Sequence, residues 1–419
     1  MLDEIHPGRS TRIGFIRSNY AKILLMHDME HYTSVDSLLD RLKPAQPVYC
    51  IYPHVYRRSA ASFVAGFPGR VLYAVKACSE PAVVKILIEA GVHHFDCASL
   101  VEIEAVKSID PDVDCYFMVP VLMRGEARAA QNEFGVRHFM VDHRSAIRRL
   151  DAEINLSRAV VFARMAVHHQ AAVYDLSLKF GAALEEMPVL MQAIADSGAE
   201  PALAFNVGTL VTRPDAYRHS ISLAAGLLKT LAFDVRLVDI GGGFPRSYPK
   251  FSMPPLDDYF ENITKAKAQL PLAEGGEILA EPGRALAAPG LSAISEVLLR
   301  KDKRLYINDG MHGVFWELRY EGHDAYACRS YRDGKRHEGK LLPFTIFGPT
   351  CDSEDELPGK VDLPEDIRAG DHLEFGGLGA YSLSGRTNFN GRFSDHIVMI
   401  DSSDQFPPGY HRYNLKLPV

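Results

Sequence analysis

Several things are missing from this chain, and each absence closes a class of function. No apolar run approaches the ~18 residues of a membrane-spanning helix. The opening stretch from Met1 to Thr11 is polar, without the apolar segment of a signal peptide. A cytoplasmic protein with no membrane partner is therefore expected. Basic charge is not in excess: 46 lysines and arginines stand against 53 aspartates and glutamates, a net charge of −7, which argues against nucleic acid as a partner. Cysteine is sparse and scattered. Cys50, Cys78, Cys97, Cys115, Cys328 and Cys351 form no CxxC pair and no ligand-like spacing with histidine. Neither a zinc site nor a disulfide framework is indicated, and most of these thiols should be small buried hydrophobes, Cys351 excepted. No internal repeat or low-complexity tract is evident.

What is present is an ordinary globular composition, 47% hydrophobic and 24% charged over 419 residues. That length suggests roughly two or three domains. Between about residues 70 and 285 short apolar runs alternate with longer amphipathic ones. The strand candidates are 71–76, 94–99, 115–119, 138–142, 160–165, 202–207, 236–241 and 277–281. Helical patterns lie between them at 80–90, 100–109, 126–133, 146–154, 185–197, 216–231 and 256–270. About eight such units are what closes a parallel (β/α)8 barrel. After about residue 290 the pattern changes to short alternating runs at 295–299, 304–307, 343–346, 371–375 and 396–400, which read as a mainly β domain. The run 11–16 is a further strand candidate for that domain, and the charged segment 321–339 reads as an exposed loop or hairpin. The division expected is a barrel over 45–287 and a β domain over 1–44 and 288–419.

Three strand ends carry chemistry. Lys76 closes the apolar run that begins at Val71, and an ammonium partly stripped of water holds its proton less tightly, so that the free amine can form an imine with an aldehyde. Gly241, Gly242 and Gly243 follow the run Val238-Asp239-Ile240, where bare backbone can approach an anion closely. Glu281-Pro282-Gly283-Arg284 ends the run from Ile278 with a carboxylate and a guanidinium. Taken singly, each has a plainer reading: a lysine whose head reaches solvent, a tight turn, a surface turn with a salt bridge. Taken together they do not, because Lys76, Asp96, Arg164, Asn206, the glycine turn and Glu281 all fall at C-terminal strand ends, where barrel active sites collect.

In their order along the chain, Tyr73 to Lys76, Phe95 to Ser99 with Glu102, Lys179-Phe180-Gly181, Asp239 to Pro245, Glu281 to Arg284, Gly348 to Asp352 and Gly379-Ala380-Tyr381 resemble the ornithine and diaminopimelate decarboxylases over about residues 45 to 395. The resemblance implies the alanine-racemase type of fold, pyridoxal 5′-phosphate as cofactor and a homodimer with shared active sites. It implies that Lys76 holds the cofactor, with Asp96, Arg164 and Asn206 around it. Thr209, Gly241 to Gly243, Gly283, Arg284 and Tyr381 would hold the phosphate end, and Glu281 would keep the pyridine nitrogen protonated. Cys351 would protonate the α-carbon after loss of CO2, entering the partner's site.

The same resemblance favours a basic amino acid as substrate. Asp352 would meet the distal ammonium, and Tyr320-Glu321 aligns with a Tyr-Asp pair of the family. One departure stands out: Asn206 opens a motif that normally begins with the histidine that stacks on the cofactor. A decarboxylase of a modified or carboxylated diamino acid, such as diaminopimelate or a siderophore or secondary-metabolite precursor, is the alternative. A catalytically inactive regulatory homologue is a reading of another class, and a racemase is a third, disfavoured by Cys351 in its decarboxylase context.

Overall fold

Short apolar strands separated by amphipathic helices must cover both faces of the sheet they build, and closing that sheet on itself removes its edges. The computed structural model describes residues 29–168, 172–174, 177–246, 253–321 and 326–410. Strands β1 (Arg70–Ala74), β2 (His94–Cys97), β3 (Asp114–Phe117), β4 (His138–Val141), β5 (Val160–Met165), β6 (Glu200–Phe205), β7 (Val235–Asp239) and β8 (Leu272–Ala280) close one parallel barrel, with β8 pairing back onto β1. All eight expected strands are there. The helices between them, among them Pro81–Glu89, Leu100–Ile109 and Asp215–Leu228, match the expected ones to within a few residues at their ends.

Two differences have physical causes. β1 stops at Ala74, and Val75–Ala77 turns into a 3-10 helix, so Lys76 stands on a turn beyond the strand rather than at its last residue. β8 begins earlier than expected, at Leu272, because its glycine-bearing first half pairs with β7 through a register shift. A helix that was not anticipated, Pro53–Gly66, lies between the first and last barrel helices. It buries Val55, Tyr56, Ala60 and Phe63, and Phe63 meets Phe244 and Phe260 edge-on.

The period of two along each strand decides which side chains enter the barrel. Leu72, Tyr116, Met140, Val160, Phe162, Ala202, Ala204 and Leu279 form the inner cluster, with Leu237 against it. Two residues on, the same parity selects Asp96 on β2, Arg164 on β5, Asn206 after β6, Asp239 on β7 and Glu281 after β8. A packed apolar interior thus gives way at one end to a ring of polar side chains.

Among the described residues, Ala172–Tyr174 pairs separately with Thr209–Val211, and ten further strands form a mixed sheet. Its spine is Leu291–Lys301, paired antiparallel with Val48–Ile51, His372–Gly376 and Arg304–Ile307. Val48–Ile51, from within the stretch expected for the barrel, therefore belongs to this sheet by its pairing. The segment 321–339 contains the hairpin Cys328–Arg332 with Lys335–His337, whose first strand also pairs with His372–Gly376. The 11–16 strand candidate lies outside the described residues. Cys50, Cys78, Cys97 and Cys115 are buried, and Cys351 is exposed. Among the described residues no helix is long and apolar enough to cross a membrane.

Candidate active site

The ring of polar side chains is centred on Lys76. Its Nζ donates to Asp96 Oδ2 at 2.6 Å; Asp96 is buried to 1% exposure, while the lysine keeps 45% of its side chain open at the barrel mouth. Asp96 leaves β2 into a helix start fixed by its own neighbours: Ser99 Oγ accepts from the N–H of Glu102, and the Glu102 carboxylate accepts from the N–H of Ala98. This reciprocal cap holds the strand exit, and with it the Asp96 carboxylate. The expectation that desolvation would loosen the lysine proton is corrected here. Burial acts in that direction, but Asp96, Glu281 and Tyr381 outweigh it, and the ammonium is held well above the ordinary lysine range.

Asp239 and Glu281 form a second acidic centre. Asp239 Oδ1 accepts from the N–H of Gly241 at 2.8 Å, whereas Oδ2 is buried without a donor. Burial pushes the Asp239 carboxyl up to about 6, and burial together with the charges of Asp239 and Asp96 pushes Glu281 well above its usual range. Burial and neighbouring negative charge both favour the neutral form of Glu281. Asp239 was not among the expected site residues, although a carboxylate closing a strand just before three glycines was a usable signal.

The proton count makes a prediction. A carboxyl whose value in the folded chain exceeds the ordinary ~3.9 binds its proton more tightly when folded, so its contribution favours folding at low pH and is lost as pH rises to about 6. Asp239→Asn keeps an acceptor for Gly241 and adds a permanent donor toward Glu281. The variant's melting temperature, measured without cofactor, should therefore fall less between about pH 4 and 6.5 than that of the parent protein. An equal fall in both would show that the pair holds no such proton.

The glycine turn is packed too tightly for side chains. A Cβ on Gly242 would lie 2.7 Å from the Glu281 carbonyl and one on Gly243 2.4 Å from that of Gly208, and Gly241 and Gly243 have φ of 72° and 92°. The turn is held by Tyr217, whose hydroxyl donates to the Gly242 carbonyl, and by the N–H of Val211 on the Gly243 carbonyl. Asn206 caps its own loop, Oδ1 accepting from Gly208 N–H at 2.9 Å, and lies against Gly241. Thr209 opens the short strand Thr209–Val211, paired with Ala172–Tyr174 beside this turn. The guanidinium of Arg164 lies over the Phe180 ring.

Tyr381 joins the β domain to the mouth. It is a non-glycine residue at φ 59°, a conformation that costs about 1 kcal/mol or more. Its N–H donates to the Ala77 carbonyl and its carbonyl accepts from the Trp316 indole, which hold it there. Its ring lies under the Arg284 guanidinium, and its hydroxyl is 3.3 Å from where a Cβ on Gly283 would stand. Arg284 in turn donates to Glu317 at 2.6 Å. Nothing in the spacing of Glu317 announced that partnership.

Cys351 and Asp352 stand elsewhere, on an exposed loop of the β domain. The N–H of Cys351 donates to Asn390 Oδ1, and Asp352 is bound to His312 Nε2 at 2.7 Å and to the N–H of Glu354. These hydrogen bonds, with the Glu354 N–H contributing most, hold the Asp352 carboxyl below its usual range. His312 also stacks on Phe389. Neither His312 nor Asn390 was anticipated. Tyr320 is half exposed against Trp316, and the side chain of Glu321 lies outside the described residues. The sequence-derived site is thus brought together in two groups: one at the barrel mouth, from Lys76 to Tyr381, and one on the Cys351 loop.

Known proteins share this fold. The family model described as pyridoxal-dependent decarboxylase, pyridoxal binding domain, matches residues 54–288. Antizyme inhibitor 2 of Xenopus laevis is 30% identical over 350 residues, 76% of this chain and 73% of that protein. The lysine/ornithine decarboxylase of Selenomonas ruminantium is 28% identical over 346 residues, 80% of this chain and 84% of that one. The crystal structure of lysine decarboxylase from Selenomonas ruminantium matches with a TM-score of 0.77 at 27% identity, over 88% of this chain and 96% of the other. The family model's span is more than half of the chain and takes in all eight barrel strands, and on that ground the chain belongs to the pyridoxal-dependent decarboxylases.

Proposed function

We propose that this enzyme decarboxylates a basic, ornithine- or lysine-like amino acid to the corresponding amine and CO2. The observation that carries the reading is the Lys76 amine held by a buried Asp96 beside the Asp239–Glu281 pair, at the open end of the barrel. The family's cofactor is pyridoxal 5′-phosphate, and the residues present fit it: an accessible primary amine, a turn that admits only bare backbone, and buried carboxylate oxygens on Asp96 and Asp239 that lack a donor. Lys76 would hold its aldehyde carbon, Glu281 its ring nitrogen, and Gly241 to Gly243 with Thr209, Arg284 and Tyr381 its phosphate. When bound, it supplies the sink for the electron pair left on the α-carbon as CO2 departs.

The chain's own residues do the rest. Lys76 must lose a proton before its nitrogen can attack a carbonyl, and Asp96 holds that nitrogen in place at the barrel mouth. Glu281, whose carboxyl burial and the charges of Asp239 and Asp96 push well above its usual range, would give its proton to a basic ring nitrogen and hold it there by its charge. Cys351 Sγ, contributed by a second protomer of a cytoplasmic homodimer, would return a proton to the α-carbon. Asp352, kept ionised by Glu354 N–H and His312, would meet the substrate's distal ammonium. Asp352→Ala should then raise KM for a diamino acid about tenfold or more. An unchanged KM would leave the distal-ammonium role without support.

The test of function is release of CO2 from a panel of ornithine, lysine, arginine, diaminopimelate and N-acylated diamino acids by protein loaded with pyridoxal 5′-phosphate. Turnover of ornithine or lysine above the rest supports the proposal. Preference for a carboxylated or acylated member would replace it with the modified-substrate reading, which the exchange of a stacking histidine for Asn206 favours. The relative named Antizyme inhibitor 2 raises the reading of a non-catalytic regulator. Lys76, Asp96, Glu281 and Cys351 are all present here and argue for catalysis.

A further inference from the structure

Arg284 carries a feature that neither the expected phosphate contact nor the fold requires. Its guanidinium and the Glu317 carboxylate meet at 2.6 Å with side-chain exposures of only 7% and 10%, so this is a buried ion pair. The pair belongs to a clamp. Trp316 and Glu317 are neighbours in sequence: the first grips the Tyr381 carbonyl and the second grips Arg284, and Tyr381 and Arg284 are themselves stacked. The segment bearing them is anchored by Asp309, whose Oδ1 accepts from the N–H groups of Gly310 and Val314.

We infer that Glu317 is a resident counter-ion that neutralises Arg284 and thereby sets how tightly the cofactor's phosphate is held. The inference rests on Arg284 being a phosphate ligand. A buried guanidinium without an anion is costly. Glu317 provides that anion before any phosphate arrives, which stabilises the protein without cofactor. An incoming phosphate then gains less from an arginine that is already paired, and it meets the like charge of Glu317 nearby. Glu317 is thus a positioning residue that trades phosphate affinity for stability of the unloaded chain.

The test is Glu317→Gln, whose amide oxygen still accepts from the guanidinium while the charge is gone. Binding of pyridoxal 5′-phosphate and of pyridoxal, which lacks the phosphate, is followed by the fluorescence of Trp316, the chain's single tryptophan. The expected result is phosphate-cofactor affinity increased about tenfold, the worth of one charged hydrogen bond. Pyridoxal affinity should be unchanged within about twofold on the same ground, and the melting temperature should be lowered without cofactor more than with it. Should Glu317→Gln be too unstable to isolate, Glu317→Asp, which retracts the charge by one methylene, should tighten phosphate-cofactor binding in the same direction by a smaller factor. Unchanged or weaker binding of pyridoxal 5′-phosphate in the isolated variant overturns the inference. Arg284→Ala separates the two layers: if it weakens binding of pyridoxal 5′-phosphate while Glu317→Gln fails to tighten it, only the role of Glu317 falls, and if it changes nothing, the phosphate role of Arg284 falls too.

Discussion

Lys76→Ala should leave a folded protein that mixes with pyridoxal 5′-phosphate but shows no absorption band near the visible edge, and CO2 release should fall by at least about 10³-fold. The loss is large because no neighbour can substitute. Asp96, Asp239 and Glu281 are acids, and the nearby cations are guanidinium groups that do not give up a proton. The variant should still fold. Removing the ammonium leaves the buried Asp96 carboxylate without its partner, a cost of up to about 3–5 kcal/mol that water entering the mouth, where 45% of the lysine side chain is exposed, reduces. Circular dichroism and a melting curve separate lost chemistry from lost structure. Persistence of the band and of CO2 release would remove Lys76 from the mechanism.

Mixing Lys76→Ala protomers with Cys351→Ala protomers, each inactive or misprotonating alone, should restore about a quarter of the parent activity if sites are shared across a two-fold axis. Random pairing puts half of the dimers in the mixed form, and in each mixed dimer one of two sites draws both intact residues. The motivation is structural. Lys76 is tied to Asp96 inside the barrel mouth, whereas Cys351 is tied to Asn390 on an exposed loop of the other domain. Activity in the mixture equal to the mean of the two variants measured separately would mean that each protomer uses its own cysteine. Cys351→Ala alone should bind cofactor normally and lose the correct amine product.

The barrel was legible because its signals are local. Strand parity and helix periodicity repeat over a few residues, so β5 and the helix Leu100–Ile109 are located to the residue, and boundary errors elsewhere are small. The helix Pro53–Gly66 was missed although Val55, Tyr56, Ala60 and Phe63 show helical spacing, because its apolar stripe is diluted by Arg57, Arg58 and the small residues Ser59, Ala61 and Ser62. The 3-10 turn at Lys76 was not legible: an apolar run reads on as strand, and only the N–H of Tyr381 on the Ala77 carbonyl and the packing of Gly283 on Ala77 account for the turn.

The sequence alone carried the resemblance to the family, the eight strands, and the placing of Lys76, Asp96, the glycine turn and Glu281 at one end of them, since each depends on a residue type at a strand's exit. Only the folded molecule showed which of these groups lie together. Asp239 with Glu281, Arg284 with Glu317 and His312 with Asp352 are separated by 42, 33 and 40 positions in the chain. Charge at a distance in sequence carries no local period, so its partners emerge only once burial brings them within hydrogen-bonding reach.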